Sequence, residues 1–237
     1  NCKVIKHSPE FLSNKDIDSP TNRILSSLLT KNRLKELLHY GICYVNEVDE
    51  ETGKVTIQKH IMRYPQFFAT KAIKAKLDEG MNRGVIWHTQ GSGKTALAFY
   101  NVQSLKDYFA EEGVVPKFYF VVDRLDLANQ AKDEFTKRGL TVNSIDSKEG
   151  LLRDFSYNAS SEGITVVNIQ KFREDTMTLR DSGYNISVQK VFFIDEAHRS
   201  YDPKGSFLAN LYNSDKQSIK IALTGTPLII YKDHDQD

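Results

Sequence analysis

Hydrophobic and polar positions along the chain fall into two regimes that meet near Lys59. In the first, Leu25, Leu28 and Leu29, then Leu34, Leu37 and Leu38, recur at the three- and four-residue spacing of a helix face, with Ser19-Pro20 as a start and Gly41 as a stop. Two β-rich runs, ICYVNEV and KVTIQ, flank the charged turn DEETG and predict a hairpin. From Arg63 onward, short apolar runs (VIW, FYFVV, TVNSI, ITVVNI, KVFFI and IKIALT) alternate with amphipathic segments. Ala98, Val102, Leu105 and Phe109 fall at helical spacing before Gly113, as do Leu127, Ala131 and Phe135 before Gly139. Strands apolar on both faces and alternating with helices predict an α/β fold: six buried strands in a mainly parallel sheet sandwiched by helices. The pattern divides the chain into a small helix-and-hairpin extension over 1–60 and an α/β lobe over 61–237.

Composition narrows the partners rather than the fold. The 237 residues are 40% apolar and 27% charged, which suits a globular protein with one substantial core. Lys and Arg number 32 against 31 Asp and Glu, for a net charge of +1, so any contact with nucleic acid must be local. Cys2 and Cys43 are too few for a disulfide framework and read as ordinary thiols of a reducing compartment. No apolar run approaches the roughly 20 residues that cross a bilayer, and NCKVIKHSPEF lacks the apolar block of a signal peptide. The expectation is a cytoplasmic protein without a membrane partner. A first residue that is not methionine suggests a piece of something longer.

The chemistry concentrates at strand ends, where open parallel sheets bind their ligands. GSGKT, comprising Gly91, Ser92, Gly93, Lys94 and Thr95, follows the strand VIW and opens a helix. Small residues let backbone amides approach phosphate oxygens, and a helix amino end favours anions. Lys94 would reach the β and γ phosphates of a nucleotide, and the Thr95 hydroxyl would ligate Mg²⁺. The general pattern has glycine where this chain has His88, a departure the cradle tolerates because its amides belong mainly to 91–95. The strand VFFI delivers Asp195 and Glu196, a pair suited to holding Mg²⁺ and to orienting an attacking water.

Asp195, Glu196, Ala197 and His198 spell the DEAH box, and with them the chain resembles the superfamily 2 helicases and translocases. That resemblance implies a RecA-like P-loop lobe over about Arg63–Pro227, with ATP in a cleft against a second lobe, and counts His198 with Lys94, Asp195 and Glu196 as catalytic. Arg63 and Gln66 of RYPQ resemble the element that reads adenine. Thr224, Gly225 and Thr226 of LTGTP resemble the motif that couples ATP to nucleic acid. VVDRLDLANQ and TVVNIQKF resemble the backbone-contacting motifs and nominate Arg124, Gln130, Gln170 and Lys171 for DNA, although Arg124 lies one residue further from Gln130 than in the common form. Lys71, Lys74 and Lys76 read as a solvated helix face.

WHTQGSGKT, VVDRLDLANQ and DEAHRS taken together resemble, more narrowly, the restriction subunit of type I restriction-modification enzymes. The resemblance implies an ATP-driven motor on double-stranded DNA, assembled with methylation and specificity subunits, whose second lobe and nuclease domain lie elsewhere in the parent chain. No Glu-x-Lys nuclease motif stands here; EETGK has the wrong spacing. The alternatives are another superfamily 2 helicase, acting in repair or on RNA, and a binding module that closes on ATP without hydrolysing it.

Overall fold

The computed structural model describes residues 29–49, 51–145, 147, 150–151, 153–154, 162–169, 188–196 and 215–226. Helix α1 spans Lys31–Tyr40 and is preceded by Thr30 in an extended conformation (φ −61°, ψ 152°). The helix read from Ser19 through Leu38 is thus broken before Lys31, and Leu25 and Leu28 lie outside the described residues. Among the described leucines of its apolar stripe Leu37 is buried, while Leu38 stays 59% exposed.

Strands β1 (Ile42–Val48) and β2 (Val55–Ile61) form the expected antiparallel hairpin, with Ile42 opposite Ile61 and Val48 opposite Val55. Its turn is organised by Asp49, whose carboxylate accepts the backbone N–H groups of Glu51 and Thr52. The hairpin is not an independent unit, because Leu37, Cys43, Val45 and Met62 belong to the same buried cluster as the α/β part.

Helix α2 (Tyr64–Asp78), β3 (Arg83–Trp87), α3 (Lys94–Glu111), β4 (Val115–Val122), α4 (Leu125–Lys137), β5 (Val142–Ile145), β6 (Ile164–Asn168), β7 (Val188–Asp195) and β8 (Ile219–Thr224) follow in chain order. The last six strands form one sheet, in the order β3-β8-β7-β4-β6-β5, and every pairing in it is parallel. This is the α/β, parallel-sheet architecture that the alternation of runs predicts. Phe118, Phe120, Val191, Phe193, Ile219, Ile221 and Leu223 alternate onto one face and meet α2, α3 and α4 in the main core. Phe120 and Phe135 touch edge to face at 5.2 Å. Each such ring removed from water contributes about 1.5–3 kcal/mol. Tyr119, Val121, Val167, Phe192 and Ile194, on the opposite face, are equally buried.

The expectation of six buried strands fails at the margins. β3 and β5 are the two edges of the sheet, and Val85 and Trp87 of β3 are each 60% exposed. Lys71, Lys74 and Lys76 also differ from a solvated face. Lys71 pairs with Glu36 at 3.0 Å and Lys74 lies over the Tyr40 ring at 4.7 Å, so two of the three fasten α1 to α2. Lys76 pairs with Glu79 on its own helix.

Candidate active site

Parallel register brings the carboxyl ends of β3, β8 and β7 into one row. Trp87 lies opposite Thr224, and Leu223 lies opposite Asp195, so the glycine loop, the Thr224 turn and the acidic pair leave the sheet side by side. The loop after β3 turns through Gly91 (φ 76°) and Gly93 (φ 81°), left-handed conformations that favour glycine. At Gly93 a side chain would also disturb Gln66, since a Cβ there would lie 2.5 Å from Gln66 Nε2 and displace it. Lys94 then begins α3 and is only 8% exposed.

Glu196 follows β7 with φ 48°, a left-handed turn unusual for a residue with a side chain. Its carboxylate meets the loop, with Lys94 Nζ 3.2 Å from Glu196 Oε1. Gln66 is the second fastening of the loop. Its Nε2 donates to Gly93 O at 2.9 Å and Ser92 O at 3.4 Å, while its Oε1 accepts the Arg63 N–H at 2.8 Å. Thr70 donates to Gln66 O and receives the Asn101 amide of α3, so a buried polar chain fixes α2 against α3 one turn behind the cradle. Sequence reasoning missed Thr70 and Asn101; the only signal was two polar residues within the apolar runs FFAT and AFYNV.

Thr226 N–H donates to Thr224 Oγ1, Trp87 Nε1 donates to Gly225 O at 2.9 Å, and His88 N–H donates to Thr224 O at 3.1 Å. The proposed coupling residues are therefore bonded directly to the entrance of the phosphate loop. His88 itself lines an apolar groove of about 320 Å³ between α2 and β3, away from the cradle. Burial, and then the charge of Lys94, push its pKa below the ordinary 6.5, and its Nδ1 is buried without a hydrogen-bond partner.

A cleft of about 1120 Å³ joins these parts. Gly91, Gly93, Lys94, Thr95, Asp195, Glu196, Gly225 and Thr226 line one side of it. Arg63, Gln66, Arg124 and Gln130 line it too, so four residues expected to serve either base or DNA share a wall with the phosphate loop. Gln170, Lys171 and His198 lie outside the described residues. Two contributors went unread in the sequence: the end of β2 (Lys59, His60 and Ile61) and a pocket between α3 and α4 formed by Tyr100, Phe120, Leu127 and Arg138. Their place is set by tertiary packing and leaves no local motif.

The donor set fits a magnesium nucleotide. Two left-handed glycines shape the loop, a nearly buried ammonium stands at a helix amino end, and Ser92 Oγ is buried without a partner. Among the described residues no cluster of three His, Cys, Asp or Glu could hold a metal unaided.

The profile of the SWI2/SNF2 ATPase family matches residues 65–237. A type I restriction enzyme endonuclease subunit of Methanocaldococcus jannaschii, MjaVIIP, is 36% identical over 165 residues, covering 62% of this chain and 15% of that protein. The SauMSSORF170P endonuclease subunit of Staphylococcus aureus is 32% identical over 176 residues, covering 70% of this chain and 17% of its own length. The chain thus spans about a sixth of such relatives. A solved nuclease-deletion mutant of the type ISP restriction-modification enzyme LlaGI, in complex with a DNA substrate mimic, superposes with a TM-score of 0.48 at 16% identity, over 73% of this chain and 19% of that one. No helix among the described residues is long and apolar enough to cross a membrane.

Proposed function

The chain belongs to the SWI2/SNF2 ATPase family, and on that premise we propose that it is the nucleotide-binding lobe of an ATP-driven motor on double-stranded DNA, within the restriction subunit of a type I restriction endonuclease. The observation that carries the reading is the convergence of Lys94 and Glu196, from strand ends separated by β8, across one cleft. Relatives that are type I restriction enzyme endonuclease subunits support the narrower setting; in it, methylation and specificity subunits would be the partners, and the parent protein would supply the nuclease and the second lobe.

In this reading the loop amides and Lys94 bind the β and γ phosphates, and Thr95 and Asp195 hold Mg²⁺. The ion would neutralise charge developing on the transferred phosphoryl group. Glu196 accepts a hydrogen bond from the attacking water and directs it in line. Lys94 Nζ lies 3.2 Å from Glu196 Oε1. Phosphate oxygens compete for that ammonium, so binding releases the carboxylate for its work on water. Thr224 and Gly225, bonded to the residues before the loop, would pass the change along the strand ends toward Arg124, in the turn ahead of α4, and Gln130, on that helix. These two would touch the DNA backbone without reading sequence, together with Gln170 and Lys171.

Binding of ATP to the intact protein, followed by calorimetry, tests the reading. Lys94→Ala should abolish it. Unchanged affinity would place the phosphates elsewhere.

A further inference from the structure

The hairpin ahead of the lobe carries its apolar side chains on the wrong face for a structure open to water. One face of an antiparallel pair packs on the core, and the other, where it is solvated, is polar. On the face toward the lobe, Cys43 and Val45 enter the buried cluster, but Glu47, Thr56 and Gln58 follow them, and Gln58 Nε2 donates to Glu47 Oε2 at 2.7 Å. The opposite face is the apolar one. Asn46 and Lys59 are its only polar residues, and Tyr44, Val48, Val55, Ile57 and Ile61 are each 56% to 68% exposed. Its single charge is laid over its single ring, with Lys59 Nζ 5.6 Å from the Tyr44 centroid. Scattered apolar exposure is ordinary on a monomer, whereas five such side chains on one face mark a surface that a partner covers.

Size and position narrow the partner. Two strands of seven residues make a face about 24 Å by 10 Å, well short of the roughly 800 Å² per partner that a separate protein needs for stable binding. A tethered body needs much less, because its link holds it at high effective concentration. The polypeptide enters at that spot. Helix α1 is joined to β1 by Gly41 alone, and it is fastened to α2 by the Lys71–Glu36 pair at 3.0 Å and by Lys74 over Tyr40. Whatever precedes α1 is thus delivered beside the hairpin. The chain leaves β8 elsewhere, next to the edge strand β3, where Gly225 O accepts from Trp87 Nε1. Helix α4, which β1 touches, packs toward the other edge, on β4, β5 and β6. Since the chain spans about a sixth of its relatives, most of the parent protein lies outside it.

We propose that the outer face of the hairpin is the seat of the part of the parent protein that precedes this chain, packed on Tyr44, Val48, Val55, Ile57 and Ile61. A permanent, apolar contact of this kind suits two parts of one polypeptide better than subunits that exchange. Lys59 and Ile61 belong to the seat and also line the cleft that holds the phosphate loop, so the docked body and the nucleotide would share one strand. That link rests on the nucleotide reading above; the seat itself does not.

The test uses the intact parent protein. A p-benzoylphenylalanine probe placed at Ile57 should cross-link on irradiation to residues ahead of Asn1, identified by mass spectrometry of the digest. Ile57→Cys should react with N-ethylmaleimide at least about tenfold more slowly than the same variant unfolded in urea, as a covered side chain does. Ile57→Lys should abolish the cross-link from a probe placed at Val48, because the seat cannot bury an unpaired ammonium. Cross-links from Ile57 to residues 1–28, to residues after Asp237, to a separate subunit or to a second copy would each overturn the proposal. So would an Ile57→Cys thiol that labels at the unfolded rate, or a Val48 cross-link that survives Ile57→Lys. If Lys94→Ala leaves ATP affinity unchanged, the nucleotide reading fails and the seat stands.

Discussion

Lys94, at the start of α3, and Lys117, in β4, are both buried lysines, and they stand at opposite ends of one sheet in opposite circumstances. Lys117, near the start of β4, is 1% exposed; its ammonium donates to Asp154 O at 2.6 Å and pairs with Asp154 Oδ1 at 3.3 Å. Beside it Tyr119 donates to the other Asp154 oxygen. Two neighbours repeat the arrangement: Lys190 pairs with Asp215 at 3.2 Å, and Lys220, also 1% exposed, donates to Asp215 O, Ser218 O and Ser218 Oγ. At this rim each ammonium is enclosed by its own chain's oxygens. Lys94, at the other end, meets one carboxylate and faces a cleft of about 1120 Å³. A buried charge costs several kcal/mol unless paired and hydrogen-bonded. The rim meets most of that cost from within the chain, with a remainder at Lys220; the loop offers Lys94 a single carboxylate and an open cleft.

The sharpest way to break the contrast is to remove each lysine. Lys94→Ala should weaken ATP binding at least about a hundredfold, as loss of a charge-assisted contact to phosphate implies, and leave the urea midpoint nearly unmoved. A variant that lost stability and kept affinity would make Lys94 another rim lysine. Glu196→Gln should lower ATP turnover about a hundredfold, the scale of a positioned general base, with ATP affinity unchanged or tighter because the competing ion pair is gone. Turnover is measured in the intact, DNA-stimulated protein, and weaker binding would contradict the exchange of partners on Lys94.

Lys117→Ala should behave in the reverse sense, with ATP affinity preserved and stability lower by about 3 kcal/mol, since it leaves Asp154 and Tyr119 without their cation. Urea unfolding followed by circular dichroism measures the loss. A neutral result would show that the rim is no better satisfied than the loop.

The two ends were unequally legible in the sequence, for a physical reason. The loop and the acidic pair are local motifs: glycine spacing, one lysine and two adjacent acids after an apolar run carry their chemistry within a few residues. The rim lysines stand at the starts of PKFYFVV, KVFFI and IKIALT and were passed over, because their partners, Asp154 and Asp215, lie 37, 25 and 5 residues away. The parallel sheet was readable because apolar runs alternated with helical spacing. Strand order was not, so β3 was expected to be buried when it is an edge. Gln66 was singled out from the sequence as a base reader. Its three bonds to Arg63, Ser92 and Gly93 depend on how α2 crosses the loop, which only the folded chain specifies.

Titration is the most delicate probe of the rim. Burial, foremost, and the nearby charges of Arg83 and Lys190 lower the Lys220 pKa from 10.5 to about 8, against the opposing pull of Asp215. Below pH 8 both folded and unfolded chains hold the proton, and the folded state bears the part of the burial penalty that Asp215 and Ser218 do not offset. Between about pH 8 and 10 the folded chain releases it while the unfolded chain, at the ordinary value, retains it, so stability rises with pH in that window. Above pH 10 the sign reverses. Tyr40, Tyr108 and Tyr119 are held above their ordinary value, mainly by burial, so the unfolded chain loses those protons first. The urea midpoint should therefore climb from pH 8 to 10 and then fall. Lys220→Met, which keeps the stem and removes the charge, should flatten the climb and leave the fall. A climb that persisted in that variant would mean that the Lys220 ammonium is as well solvated by Asp215 and Ser218 as by water, and that the rim carries no penalty to relieve.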